Sequence, residues 1–262
     1  GCCADEIAIS GNYAYVNYFA GLDIVDISDP SSPTLVGSYD SGHYTKGVFA
    51  SGNYSYVADG QNGLAILCVE ASTTNSHTPD YDNNLRESSA CSVLSTTPYI
   101  DIGKNKSRAR DVMWFNLSMY NENETISQAT LSLYWYYPAG KTRTSDTVVE
   151  IYRPGKWNPK YVTWYYHDYR KAWKPVGGAW FDVNGVAQGN APYASVTFQA
   201  ATVPDNQYHE FDVTRLVQEY INGTYENTGF FLKAQTESGN YIAFCSSEWT
   251  SADQKPKLKV TS

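Results

Sequence analysis

Apolar and polar residues alternate along most of this chain with a period close to two. The clearest run is ATLSLYWYY from Ala129. Leu131, Leu133, Trp135 and Tyr137 fall on one face of it, and Ser132, Tyr134 and Tyr136 on the other. Shorter runs of the same kind are YIDIG at Tyr99, VVEIYR at Val148, SVTFQ at Ser195, GFFLKAQ at Gly229, YIAFCSS at Tyr241 and KLKVTS at Lys257. One stretch, DVTRLVQEYING, has helical spacing instead: Val213, Leu216, Val217, Tyr220 and Ile221 share a side, with Asp212 to cap its start and Gly223 its end. From Asp82 to Ser262 the pattern predicts an all-β, two-sheet sandwich of jelly-roll type with a single short helix.

The front of the chain alternates too, and it repeats. ISGNYAYV at Ile9 returns as ASGNYSYV at Ala50, and GLDIVDIS at Gly21 returns as GLAILCVE at Gly63, a period of about 41 residues. The first copy reads as four strands: EIAIS, YAYVNY, GLDIVDIS and TLVGSYD, the last two parted by Asp29-Pro-Ser-Ser-Pro33. Four strands in some forty residues is the signature of a propeller blade. The second copy gives three strands and stops, which predicts about one and three-quarter blades over residues 1–70. The polar stretch 71–81 reads as a linker, and residues 82–262 as the sandwich.

Composition sharpens this picture in two ways. Tyr (23) and Trp (7) are abundant, which suits half-buried pleated surfaces. The formal charge of -8 is concentrated in front: up to Glu70 there are eight carboxylates and one cation, Lys46. That balance excludes a nucleic-acid partner, which needs a basic footprint. No apolar stretch is long enough for a membrane span. The five cysteines, Cys2, Cys3, Cys68, Cys91 and Cys245, form no metal-binding spacing and are candidates for disulfides within or between chains. With sequons at Asn53, Asn105, Asn116, Asn123 and Asn222, they predict a glycosylated protein at the cell surface or outside the cell. The chain begins with Gly1 instead of Met, so a leader is expected to have been removed.

The repeated SGNYxYV and GLxI strings, with DISDPSSPTLVGSY between them, resemble LVIVP-type propeller repeats of large surface proteins of methanogenic archaea. The part from Asp82 resembles the DNRLRE-type, disaggregatase-related domain of the same proteins. The strings that carry this are DNNLRE at Asp82, DVMWFNLS at Asp111, ATLSLYWYY, WNPKYVTW at Trp157, DVTRLVQEYINGTYENTGFFLKA at Asp212 and AFCSSEW with KPKLKV. DNNLRE departs from the family string at Asn84, where the family has Arg. The resemblance implies a jelly-roll module, classed with carbohydrate-binding domains, on secreted proteins that contact acidic matrix polysaccharide.

Candidate chemistry is confined to binding. No nucleophile elbow, zinc-protease, P-loop or dinucleotide motif occurs, so the chain is expected not to be an enzyme. A hydrolase would need two carboxylates across one cleft, which a sequence cannot pair. The aromatic stretch 157–181 offers Trp157, Trp164, Tyr165, Trp173 and Trp180 as sugar-stacking rings; the competing reading is a small aromatic core over one edge of the sandwich. Lys104 and Arg108, in the cationic loop GKNKSRARD, are candidates to attract uronate or sulfate. Asp82 and Glu87 are candidate ligands of a structural calcium ion.

These features predict a non-catalytic structural or adhesive surface protein. Its expected partners are copies of itself, joined through the unfinished repeat, and acidic or neutral matrix polysaccharide. The strand edges of an incomplete blade invite strand addition, and a head-to-tail contact of that kind builds a filament or surface layer. The alternative is a carbohydrate-binding module of a disaggregatase-like, polysaccharide-degrading enzyme.

Overall fold

A computed structural model of the chain describes residues 4–52, 54–69, 73–104, 106–137, 143–200, 202 and 204–262. Cys2, Cys3, Asn53 and Asn105 lie outside the described residues. The chain forms two compact units that divide between residues 72 and 73.

The front unit is two small antiparallel sheets. One is a four-stranded meander of β1 (Ala4–Ser10), β2 (Tyr13–Tyr18), β3 (Gly21–Asp26) and β4 (Thr34–Asp40). The other is a three-stranded meander of β5 (Gly47–Ser51), β6 (Tyr54–Ala58) and β7 (Leu64–Cys68). The repeat therefore yields one whole blade and three strands of a second. Tyr15, Leu22 and Ile24 of the first sheet pack with Val48 and Val57 of the second. Glu6 adds a polar tie, its carboxylate accepting the Val48 N–H at 3.0 Å.

The second unit runs through β8 (Thr74–His77), β9 (Tyr81–Arg86), β10 (Tyr99–Lys104), β11 (Arg108–Trp114), β12 (Gln128–Tyr137) and β13 (Thr147–Pro154). It continues through β14 (Tyr166–Asp168), β15 (Lys171–Ala172), β16 (Trp180–Phe181), β17 (Ala194–Phe198) and β18 (Tyr208–Asp212). Helix α1 (Thr214–Ile221) and strands β19 (Phe230–Ala234), β20 (Ile242–Cys245) and β21 (Lys257–Thr261) complete it. One layer has the order β9-β11-β19-β13-β17. The other has β21 and β18 on either side of β12, with β8 beyond β21. Strand β10 pairs with both β11 and β20 and so links the layers. This is a jelly-roll-like β-sandwich.

Alternate residues of β11, β13 and β19 enter two different cores. Met113, Val149, Ile151, Phe230 and Leu232 face the main core between the layers, with Leu131, Leu133 and Trp135 of β12 and Leu216 and Val217 of α1. Val112, Tyr152 and Phe231 point the opposite way, into a second cluster with Trp164 and Trp173. Strands buried on both faces read as continuous apolar runs, and GFFLKA does. The helix starts where expected: the Asp212 carboxylate accepts the Thr214 N–H at 3.0 Å, and Gly223 takes the left-handed conformation (φ 69°) just past the end.

Two sequence expectations change. The stretch 71–81 is not simply a linker, because Thr74–His77 forms β8 on the edge of the sandwich. Its alternation is polar, so no apolar stripe announces it. It is held by the ladder to β21, by a Thr74–Thr261 hydroxyl contact of 2.9 Å and by a His77–Tyr120 contact of 2.7 Å. In the cationic stretch GKNKSRARD, Gly103 and Lys104 of β10 pair with Ala109 and Arg108 of β11, and Arg110 also stands inside β11.

Candidate functional site

The aromatic stretch 157–181 separates into buried and reachable rings. Trp164 and Trp173 are each 3% exposed and belong to the second core, so the expectation that they stack on sugar is corrected. Trp180 is half-buried and stacked on Phe231 at 5.3 Å. Tyr165 is exposed, and Trp157 is half-buried at the edge. The segment is pressed onto the sheet by two glycines. A Cβ on Gly177 would sit 2.7 Å from the Trp164 ring, and one on Gly178 would sit 2.3 Å from Phe231. Both have positive φ, a conformation that favours glycine. Beneath the rings lies a charged layer. Arg110 forks onto Glu237 (2.7 and 2.9 Å) and donates to the Gly177 carbonyl (2.7 Å), and Lys233 pairs with Glu150 (2.9 Å).

Trp157 instead joins residues from other elements. With Tyr81 of β9, Trp114 of β11 and the segment 226–228 it lines a cleft of about 230 Å³. Tyr81 and Trp114 are directly opposed across the β9–β11 ladder, their rings 6.1 Å apart. Both indoles are locked onto one short stretch of backbone. The Trp114 N–H donates to the Asn227 carbonyl (3.1 Å), and the Trp157 N–H to the Thr228 carbonyl (2.8 Å). That stretch is itself fixed: the Asn227 amide donates to the Phe115 carbonyl (2.9 Å), and the Thr228 hydroxyl to the Pro154 carbonyl (2.8 Å). A side chain at Gly229 would collide with the Met113 carbonyl at 2.1 Å. Lys156 and Glu226 form an exposed ion pair among the lining residues. A second depression of about 310 Å³ meets the first at Trp114 and Asn227. The result is a long, shallow surface of preoriented rings with a polar rim, the form that suits the flat faces and hydroxyl edges of sugar rings.

Sequence reasoning missed Tyr81 and Trp114. Tyr81 immediately precedes DNNLRE and Trp114 lies within DVMWFNLS, but their pairing is a matter of strand register. The cationic candidates do not join the cleft. Lys104 is half-buried at the end of β10. Arg108 is committed to Glu87 through contacts of 2.9 and 3.3 Å, with the backbone N–H of Arg108 adding a third at 3.1 Å. These bonds pull the Glu87 carboxyl down to about 2. Replacing Arg108 by Ala is expected to return that value toward the ordinary carboxyl range, which carboxyl chemical shifts followed by NMR through an acid titration would show.

The two candidate calcium ligands, Asp82 and Glu87, are both engaged within the protein. Glu87 spends both oxygens on Arg108, while Asp82 is buried and accepts the Ser247 N–H at 2.6 Å. Among the described residues no three His, Cys, Asp or Glu side chains come together to hold a metal ion. Calcium takes six to eight oxygens, and the Glu87 carboxylate and one Asp82 oxygen already accept hydrogen bonds from the protein. Of the cysteines, Cys68 and Cys91 are exposed and free. Cys245 is free and fully buried, and burial pushes its thiol up to about 12, so it is not placed to join subunits. Asn116, Asn123 and Asn222 are exposed.

The family model of the Disaggregatase related repeat domain matches residues 82–260, most of the chain. The chain belongs to this disaggregatase-related family. The LVIVD repeat model matches residues 1–41 and 42–72, the two copies of the front unit. Leu22-Asp-Ile-Val-Asp26 fits that motif, with Asp where the LVIVP spelling has Pro, and the second copy reads Leu64-Ala-Ile-Leu-Cys68. No curated protein matches the chain. Among the described residues, no helix of this disaggregatase-related chain is long and apolar enough to cross a membrane.

Proposed function

We propose that this chain is a non-catalytic, extracellular adhesive and structural protein. Its sandwich holds matrix polysaccharide along the Tyr81–Trp114–Trp157 surface, and its repeat unit joins it to further copies. The observation that carries the glycan reading is the pair of indoles fixed by Asn227 and Thr228, with Tyr81 beside them. Rings held in place before the ligand arrives lose little freedom on binding. The cleft presents one carboxylate, Glu226, already paired with Lys156, whereas glycoside hydrolysis uses two. The same surface would serve a carbohydrate-binding module attached to a polysaccharide-degrading enzyme, a role that the family description favours.

Affinity electrophoresis through gels containing neutral or uronic-acid polysaccharides tests the site. Tyr81 is 48% exposed, so Tyr81→Ala should leave the melting temperature nearly unchanged. It is expected to weaken retention about tenfold, equivalent to about 1.4 kcal/mol. Trp157→Ala should weaken it at least as much. Unaltered retention of both variants on every polysaccharide that retards the parent chain would remove this surface from consideration.

A further inference from the structure

The two blades carry the same residues on one side of the sheet, yet they bury opposite sides. Tyr13, Tyr15, Leu22 and Ile24 of the first blade face the second; Tyr15 and Leu22 are fully buried and Ile24 is 8% exposed. Their repeat equivalents in the second blade are Tyr54, Tyr56, Leu64 and Ile66, identical at all four positions. There they form the outer side, and Tyr54, Leu64 and Ile66 are 49%, 61% and 58% exposed. The complementary side behaves in the same way. Val48, Ala50, Val57, Ala65 and Leu67 of the second blade pack against the first. Their equivalents Ile7, Ile9, Val16, Asp23 and Val25 lie on the first blade's outer side, with Ile7 and Ile9 58% and 66% exposed.

The contact inside the unit thus has two unlike halves, and each has an exposed counterpart: one identical at its four positions, the other apolar except for Asp23 in place of Ala65. We infer that the outer side of the second blade receives the outer side of the first blade of another copy, repeating the contact already made between the two blades. This rests on the proposed assembly through the repeats, and it specifies blade faces instead of strand edges. The interface is heterologous, so it propagates from copy to copy until the rotation closes. Propellers close with about four to eight blades. Two blades per chain then give a ring of about two to four copies. The partner is a second copy because, among the described residues, the Tyr-Tyr-Leu-Ile side packs on this apolar counterpart, and Ile7 and Ile9 expose a similar apolar side on each chain.

The test uses the whole chain under reducing conditions, with particle mass followed by light scattering over a range of concentrations. The parent chain is expected to reach about two to four times its own mass. Ile66→Glu blocks one side and Ile9→Glu the other; both sites are exposed, so circular dichroism and melting should match the parent. Each variant alone should stay at one chain mass. Mixed together they should form particles of two chains and no more, since one good side of each remains. A parent chain that stays single at every concentration would overturn both this inference and the assembly reading. Parent-like particles from either variant alone would overturn the blade-face contact while leaving assembly by edges. A mixture that stays at one chain mass would overturn the complementarity of the two sides.

Discussion

Trp164→Ala is expected to cost about 3–5 kcal/mol of folding stability, the usual loss for deleting a large core aromatic. Small domains have only about 5–15 kcal/mol in total, so much of the sandwich's margin would disappear. The indole is 3% exposed and lies against Gly177, whose N–H also donates to the Trp164 carbonyl at 2.8 Å. The Arg110 guanidinium sits 5.0 Å from the ring centre. Arg110 and Glu237 are 7% and 11% exposed, and their pairing depends on the aromatic cover above them. Alanine would leave a cavity over this ion pair, which the neighbouring glycines cannot fill. Urea denaturation followed by circular dichroism would measure the loss. A change below about 1 kcal/mol, the scale of a surface substitution, would mean that the ring is peripheral. The contrast with Tyr81→Ala separates the two roles of aromatic residues in this domain: one loses stability, the other glycan retention.

The second large effect is the loss of the stability that Asp82 contributes as pH rises from about 4 to about 6. Burial raises the Asp82 carboxyl to about 6, against about 4 in the unfolded chain. Asp111 is also raised by its burial and by the charge of Asp82. Between the two values the folded state keeps a proton that the unfolded state has released. Stability therefore decreases as pH rises from about 4 to about 6, and the contribution of Asp82 levels off above that. The size is about 3 kcal/mol at 1.36 kcal/mol per unit. Asp111 acts in the same direction. Asp82→Asn keeps an oxygen for the Ser247 N–H but never ionises. It is expected to flatten this part of the profile and to stabilise the protein at pH 7 by up to about 3 kcal/mol. Denaturation curves of both proteins at several values between pH 4 and pH 7 would show it, and equal slopes for the two would rule out Asp82 as the source.

Much of the architecture was legible because it is written in local patterns. The helix showed itself through Leu216, Val217, Tyr220 and Ile221 at helical spacing. Leu131, Leu133 and Trp135 marked the inner face of β12 by simple alternation. Elements that lack an apolar stripe were not legible. Strand β8 is all polar, and β11 looked like a loop because Arg108 and Arg110 interrupt it. Their charges are tolerated there because Glu87 and Glu237 meet them, and those partners lie about 20 and 127 residues away.

By itself the sequence determined that the chain is all-β apart from one helix, that its front repeats once and stops, and that its rear carries the strings of the disaggregatase-related domain. Those are consequences of periodicity and repetition, which act between near neighbours. Tertiary structure decided which rings are core and which are surface. Trp157 and Trp164 stand seven residues apart in one aromatic run. Only the path of segment 155–180 over the sheet puts Trp164 beneath Gly177 and leaves Trp157 beside Tyr81 and Trp114. Likewise, identical residues are buried in one blade and exposed in the other because burial belongs to the neighbour a face meets, and no residue encodes its neighbour alone.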